Sequence, residues 1–181
     1  MQNKKGFTLI ELLVVLVILG LIISLMFGIG GNIFGESSVK TSAAKVADDF
    51  RAVSDAAQRY QADKATKATA MSGAATALLE SGYITTLPSP PSSVYYPGDN
   101  TSLAYQWDTT TFASGWGSST AAAVVLHAQT DSVDVCSKIN ELFAGGTSGA
   151  TPPTTVNSPT VKDIQCYGSG PYDIVKPVYT N

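Results

Sequence analysis

Residues 4–27 read KKGFTLIELLVVLVILGLIISLMF, and this stretch decides how the chain is organised. Between Phe7 and Gly35, 20 of the 29 residues are hydrophobic, and Glu11 carries the only charge. Because crossing the hydrocarbon of a membrane takes about 20 mostly apolar residues, the stretch is long enough to span one. The overall composition, 44% hydrophobic and 14% charged over 181 residues, is therefore the average of two unlike parts.

The flanks of this stretch predict its orientation. Lys4 and Lys5 precede it, which places the N-terminus in the cytoplasm and residues 36–181 outside. A secretory signal has an apolar core of about 7–15 residues followed by a small-residue cleavage site, and this sequence has neither feature. The simplest interpretation is a signal-anchored protein with one external domain.

Glu11 indicates more than anchoring. An acidic residue at the centre of a membrane helix costs about 2.5–3.5 kcal/mol on insertion scales, and such residues usually have a partner or a function. If the chain were cut after Gly6, Phe7 would carry a new α-amino cation. Glu11 of one subunit could then pair with the Phe7 amine of another, which would offset the desolvation of both charges. This arrangement predicts self-assembly.

The block KKGFTLIE at residues 4–11, with the apolar run behind it, resembles the type IV pilin family and its pseudopilin relatives. In that family a prepilin peptidase cuts after the glycine and methylates the new phenylalanine amine, and the glutamate guides subunit register. By position, the resemblance implies a leader over residues 1–6, cleavage and N-methylation at Gly6 and Phe7, and an assembly role for Glu11. It covers about the first fifth of the chain.

The resemblance implies a structural subunit of a type IV pilus, polymerised through its N-terminal helix into a surface fibre for adhesion, motility or uptake. Its partners would be further copies of the chain, prepilin peptidase, the inner membrane before assembly and the pilus assembly machinery. The precursor would lie in the inner membrane and the product in an extracellular filament. Two alternatives remain open: a pseudopilin of a secretion piston, and an anchored domain without an assembly role.

Glycines replace a proline that many members of the family carry about twenty residues into the cut chain. Gly28 stands near that position, and Gly30 and Gly31 follow. Each glycine costs up to about 1 kcal/mol in a helix interior, so the segment is a candidate bend. Small residues also let membrane helices pack closely, and the sequence leaves both interpretations open.

Residues 36–62 predict an amphipathic helix. Apolar residues recur at steps of four and three along one face, and charged residues occupy the other; the apolar positions are Val39, Ala43, Val46, Phe50, Val53, Ala57 and Tyr60. With the hydrophobic segment 7–35 in front, this predicts an α+β fold, a long N-terminal helix packed on a small antiparallel sheet. A connection, the αβ-loop, would cover residues 63–101, with a short helix over 71–81. The sheet and a C-terminal disulfide loop would occupy 102–181, with strands at 102–108, 121–128 and 173–178. A helix would run from Thr130 or Asp131 to Phe143.

Cys136 and Cys166 bracket a Gly/Thr/Pro-rich stretch. Outside the cytoplasm an even pair is most simply a disulfide, with two free thiols as the alternative. Closing a loop of this length stabilises by about 3–4 kcal/mol in the chain-entropy model. The resemblance implies the same disulfide, since members of the family commonly have one in the C-terminal region. A cysteine on a helix resembles type IVb pilins, whereas the six-residue leader and Phe7 resemble type IVa, so the subclass stays open.

The sequence contains no evidence for catalysis or for nucleic-acid binding. His127 is the only histidine, no catalytic or phosphate-binding motif occurs, and two cysteines with one histidine cannot complete a four-ligand zinc site. We therefore predict no enzyme activity, no cofactor and no metal, and we interpret His127 as a structural residue on a strand with its hydrogen bonds satisfied. The net charge of −3, or −5 once Lys4 and Lys5 are removed, argues against direct nucleic-acid binding.

Two further groups of side chains are assigned structural roles. Packing is the expected use of most of the aromatic side chains that a surface ligand could contact, namely Tyr95, Tyr96, Trp116 and Tyr167. The scattered carboxylates are expected to be solvated, namely Asp48, Asp49, Asp131, Asp134, Asp163 and Asp173.

Overall fold

The computed structural model describes residues 9–99, 101–109, 124–147, 149–154 and 163–179, and of residues 25–34 it describes the backbone only. The chain divides into two compact units, Met1–Ser38 and Val39–Asn181. Helix α1, Leu9–Lys64, contributes residues to both units. Over the side chains that are described, no helix combines the length and the hydrophobicity needed to cross a membrane.

The second unit is built on the amphipathic part of α1. The face predicted from the sequence is buried, with Phe50 and Val46 fully inaccessible to solvent. Lys64 lies in the last turn, where a positive charge interacts favourably with the helix dipole. The helix ends at Lys64, because the next residue, Ala65, has a left-handed φ of 55° that stops the helical repeat. The observed end is two residues beyond the predicted one.

In the described part of the chain, a four-stranded antiparallel sheet packs with α1 in this unit. Its strands are β1, Gln106–Asp108; β2, Val124–Thr130; β3, Gln165–Tyr167; and β4, Tyr172–Tyr179. Helix α2, Val133–Phe143, connects β2 to β3. The strands lie in the order β1-β2-β4-β3, and every neighbouring pair is antiparallel. The predicted α+β class with an antiparallel sheet is confirmed.

The core lies between α1 and one face of the sheet. Phe50 shares a single buried cluster with Leu126 of β2 and Ile174 of β4, and its ring meets that of Tyr105 edge-on at 5.0 Å between centroids. The Tyr179 hydroxyl at the end of β4 donates to the Ala57 carbonyl of α1 at 2.8 Å. Apolar burial and a few buried hydrogen bonds therefore join the helix to the sheet.

The helix predicted over 71–81 is absent, and this prediction is wrong. The segment consists of turns in which Leu78 N–H bonds to the Ala70 carbonyl and Leu79 N–H to the Met71 carbonyl, at 3.2 and 3.0 Å. Gly73 has a φ of +90°, which no α-helix contains. Leu78 is completely buried, so packing of this side chain overrides the local helix preference.

Other boundaries differ for local reasons. Strand β1 covers only the last three of the predicted seven residues, because Ser102 accepts from Tyr96 N–H at 2.7 Å in a turn. Strand β2 extends two residues past the predicted end, and positions 121–123 lie outside the described residues. The N-cap of α2 is Ser132, whose hydroxyl accepts from Val135 N–H at 3.3 Å. Strand β3 was not predicted.

Replacing Phe50 with Ala should lower the free energy of unfolding by about 3–5 kcal/mol, because a fully buried aromatic ring and its contact with Tyr105 are lost. Urea denaturation of the purified chain measures the change. Leu103→Ala is the matched control, since Leu103 is 50% exposed and should change stability by less than about 0.5 kcal/mol. Equal effects of the two substitutions would contradict the assigned core.

Candidate assembly site

The first part of α1 exposes apolar side chains on all sides. Thirteen large hydrophobic residues between Leu9 and Ile23 are 46% to 84% exposed. A helix that is hydrophobic all round requires an apolar environment along its whole circumference. Burial of one such side chain is worth about 1.5–3 kcal/mol, so this segment is a strong candidate for contact with lipid or with other apolar helices.

The predicted processing and assembly residues lie at the start of this segment. Glu11 falls in the first turn of α1, where the helix dipole favours a negative charge. Gly6 and Phe7 lie outside the described residues, so cleavage and methylation there stay predictions. The glycines of the predicted bend, Gly28, Gly30 and Gly31, lie within α1, whose helical backbone continues through them.

The C-terminal part of the second unit is fastened at Cys166. A disulfide joins Cys136 of α2 to Cys166 of β3, with 5.2 Å between the two Cα atoms. Asn140, one turn further along α2, donates its Nδ2 to the Cys166 carbonyl at 2.6 Å and accepts from Cys166 N–H through Oδ1 at 2.9 Å. We call these two hydrogen bonds the Asn140 clamp. Two independent links therefore attach the same residue of β3 to the same helix.

A charged cluster ties α1 to the chain just before β3. Asp163 pairs with Arg51 of α1 at 3.0 Å and with Lys176 of β4 at 3.1 Å. The Arg51 guanidinium also lies 4.7 Å from the centre of the Phe143 ring at the end of α2. Arg51 thus contacts both ends of the segment that connects α2 to β3. Burial raises the pKa of Asp163, but the hydrogen bonds and charges of Arg51 and Lys176 outweigh it and hold that pKa below its ordinary value.

His127 is part of a structural network of hydrogen bonds. Its Nε2 lies 2.8 Å from Oδ1 of Asp173, which also accepts from Gln129 Nε2 at 2.8 Å. The Gln129 side-chain oxygen accepts in turn from Gly98 N–H at 2.9 Å. The αβ-loop is held against β2 by this chain of bonds and by paired backbone bonds between Tyr95 and Gln129. His127 is buried and hydrogen-bonded to Asp173, which agrees with the structural role predicted for it.

The aromatic side chains considered as surface contacts are largely packed. Tyr95 is 7% exposed and Tyr167 is 8% exposed, whereas Tyr96 is half-buried and Trp116 lies outside the described residues. The Tyr95 hydroxyl donates to Asp131 at 2.7 Å, and burial together with this bond raises the pKa of Tyr95 to about 12. Packing is therefore the main use of Tyr95 and Tyr167.

The expectation of solvated carboxylates is wrong for half of the set. Asp48, Asp131 and Asp134 are exposed, although Asp131 holds the Tyr95 hydroxyl. The other three carboxylates bind named partners across the fold: Asp49 accepts from Tyr105 and Lys45, Asp163 from Arg51 and Lys176, and Asp173 from His127 and Gln129. These partners lie far apart in sequence, with the exception of Lys45. No spacing rule could have identified them.

Replacing Asp163 with Asn should destabilise the protein at neutral pH by up to about 1 kcal/mol, the upper range for a partly exposed pair. The folded-state pKa of Asp163 is depressed, so its stabilisation is complete above the unfolded value of about 3.9 and is lost as the pH falls through the folded value. Urea titrations from pH 7 to pH 3 should therefore show the gap between wild type and Asp163→Asn closing at the acidic end.

Asp55→Asn serves as the matched control for that titration, because Asp55 lies on the exposed face of α1. Its difference from wild type should stay below about 0.5 kcal/mol at every pH. A gap for Asp163→Asn that does not change with pH would contradict the charge-pair explanation.

Comparison with known proteins agrees with the N-terminal pattern. Residues 1–27 match the family model of the prokaryotic N-terminal methylation motif. No curated protein and no solved structure gives a significant match to the chain. The match spans the residues assigned above to the leader, the cleavage point and Glu11. The chain therefore carries, over residues 1–27, the leader motif of the type IV pilins and pseudopilins.

Proposed function

We propose that this chain is a structural subunit of a type IV pilus. It is made as a precursor anchored in the inner membrane, cut by prepilin peptidase between Gly6 and Phe7, N-methylated on Phe7 and polymerised into a surface fibre. The observation that carries the proposal is the methylation motif at residues 1–27, which marks a prepilin peptidase substrate of the pilin or pseudopilin type.

The exposed apolar helix supports polymerisation. An isolated subunit leaves thirteen large apolar side chains of α1 in solvent between Leu9 and Ile23, which no soluble monomer tolerates at that density. Lipid covers them in the precursor, and neighbouring copies of the same helix cover them in a fibre. Because both environments are apolar, moving these side chains from lipid into a fibre changes the hydrophobic free energy little. Specific contacts must therefore set the direction and the register.

Glu11 provides that specific contact in our proposal. Removal of the leader leaves an α-amino cation on Phe7, four residues before Glu11. In an apolar bundle a carboxylate and an ammonium group attract each other strongly, whereas a misplaced charge remains uncompensated. Pairing of Glu11 with the Phe7 amine of a neighbour selects one axial register. Gly28, Gly30 and Gly31 supply the segment where we propose that the packed helix bends.

The fastened C-terminal region favours a pilus over a pseudopilus. Pilins of the resembling family commonly staple this region with a disulfide, and Cys136–Cys166 is such a staple. The low charge of the chain, 14% over all residues, also suits a subunit that is surrounded by copies of itself. A pseudopilin would share the leader motif. The experiments below distinguish a pseudopilin from a pilus subunit.

Cleavage predicts a defined N-terminus. Intact-mass and N-terminal peptide mass spectrometry of the chain from cells with prepilin peptidase should find Phe7 first, carrying one added methyl group. The Gly6→Leu chain is the control and should keep Met1, because the cut follows the glycine. A wild-type chain that retains Met1 would show a mere membrane anchor and would refute the proposal.

Assembly predicts a phenotype for Glu11. The Glu11→Ala chain should still be cleaved but should yield at least about tenfold fewer surface fibres, since the loss of one buried charge leaves the other uncompensated at about 3–5 kcal/mol. Electron microscopy of sheared fibres with immunolabelling of this chain provides the count. Glu36→Ala removes an exposed glutamate of the same helix and should leave the count unchanged.

Three results of that experiment decide the proposal. Labelled long fibres from the wild type, reduced only by Glu11→Ala, support it. Undiminished fibres from Glu11→Ala overturn the pairing. Cleaved wild-type chain that forms no surface fibre at native expression, and forms them only on overproduction with a secretion system, assigns a pseudopilin instead.

A further inference from the structure

The Asn140 clamp occupies the open edge of the sheet. Among the described residues, strand β3 is the last in the order β1-β2-β4-β3, and only one of its sides pairs with another described strand. Both backbone groups of Cys166 bond to the Asn140 side chain and therefore lie on the side of β3 away from β4. An amide side chain carries both N–H donors and an oxygen acceptor, and Asn140 uses one of each here, the same pair that a neighbouring strand would offer. Asn140 thus replaces a fifth strand at this residue.

The clamp is rigid because Asn140 is fixed by its own backbone. The Asn140 carbonyl accepts from Ala144 N–H at 3.0 Å and from Gly146 N–H at 2.9 Å. Gly146 approaches so closely that a Cβ atom there would lie 3.1 Å from the Asn140 carbonyl carbon and oxygen. Asn140 itself is 9% exposed, and both bonds of the clamp are buried.

The clamp and the disulfide share a helix face and a target. Cys136 and Asn140 are four residues apart on α2, a spacing that places their side chains side by side. Both bind Cys166, one through sulfur and one through the backbone. The chain on either side of β3 has further attachments, from Asp163 to Arg51 and from Gly168 N–H to the Pro153 carbonyl at 2.8 Å. None of these contacts requires the sulfur–sulfur bond.

We propose that Asn140 is a positioning residue that holds Cys166 against Cys136 in the reduced chain, so that the clamp directs formation of this disulfide and retains β3 when the bond is reduced. The step transfers two electrons and two protons from the two thiols to a disulfide oxidant. With glutathione disulfide as oxidant, one protein S–S bond forms and two glutathione thiols are released. The two equilibria are linked. The clamp raises the equilibrium constant for disulfide formation by the same factor by which the disulfide raises the equilibrium constant for forming the clamp.

The first test measures this coupling on the full-length chain purified in detergent. The reduced protein is equilibrated with mixtures of reduced and oxidised glutathione, and alkylation with mass spectrometry gives the oxidised fraction. Asn140→Ala should lower the equilibrium constant for the Cys136–Cys166 bond at least about tenfold, since each buried hydrogen bond stabilises by roughly a factor of five. Ser137→Ala, on the same helix outside the clamp, should change it less than about twofold.

A shape control separates hydrogen bonding from packing. In Asn140→Leu the side chain has nearly the same size but no amide. This substitution should lower the equilibrium constant for the Cys136–Cys166 bond as much as Asn140→Ala does. If Asn140→Leu or Asn140→Ala oxidises like wild type, pairing of β3 with β4 suffices to hold Cys166 and the proposal is overturned.

A second measurement tests the clamp if these variants fail to fold. In the Cys136→Ser/Cys166→Ser chain with Asn140 intact, hydrogen exchange should leave the amide at position 166 protected at least about tenfold relative to an open strand edge. The Asn140→Leu substitution in the same background should abolish this protection, because it removes the side-chain oxygen that accepts from the N–H of residue 166. Free exchange at position 166 with Asn140 intact would refute the role of the clamp without the disulfide.

Discussion

Burial of the α1 face that contains Val46, Phe50 and Val53 against the sheet is the constraint on which the second unit depends. The described part of the sheet has four strands, two of them only three residues long, and so small a sheet needs a packed helix for independent stability. Two contacts of the C-terminal region end on this part of α1. Arg51 leaves the same part of α1 to reach Asp163, and Tyr179 reaches back to Ala57.

The parts that could be predicted from the sequence are those with a local signal. The apolar stripe of α1 follows from the helical repeat, and the leader motif from eight consecutive residues. The disulfide follows from a count of two cysteines together with an oxidising compartment. His127 could be assigned a structural role because no motif accompanies it. In each case the evidence lies within a few residues or in the composition.

The remaining features depend on distant residues meeting. Asn140 and Cys166 are 26 residues apart, and Arg51 and Asp163 are 112 apart, so no spacing in the sequence links them. Residues 71–81 have a helical pattern, yet burial of Leu78 and the left-handed Gly73 give turns instead. Strand β3 is too short to show alternation, and it is stabilised by β4 on one side and by Asn140 on the other. Each of these features therefore depends on tertiary packing and not on a local sequence pattern.

The position of β4 has a consequence for the order in which the protein can acquire its structure. This strand, the last element along the chain, lies between β2 and β3 in the middle of the sheet. Until residues 172–179 have left the ribosome, β2 and β3 have no strand between them and α1 lacks its bond from Tyr179. The second unit therefore cannot fold progressively during synthesis. The strand that completes the sheet is therefore among the last parts of the described chain to be synthesised.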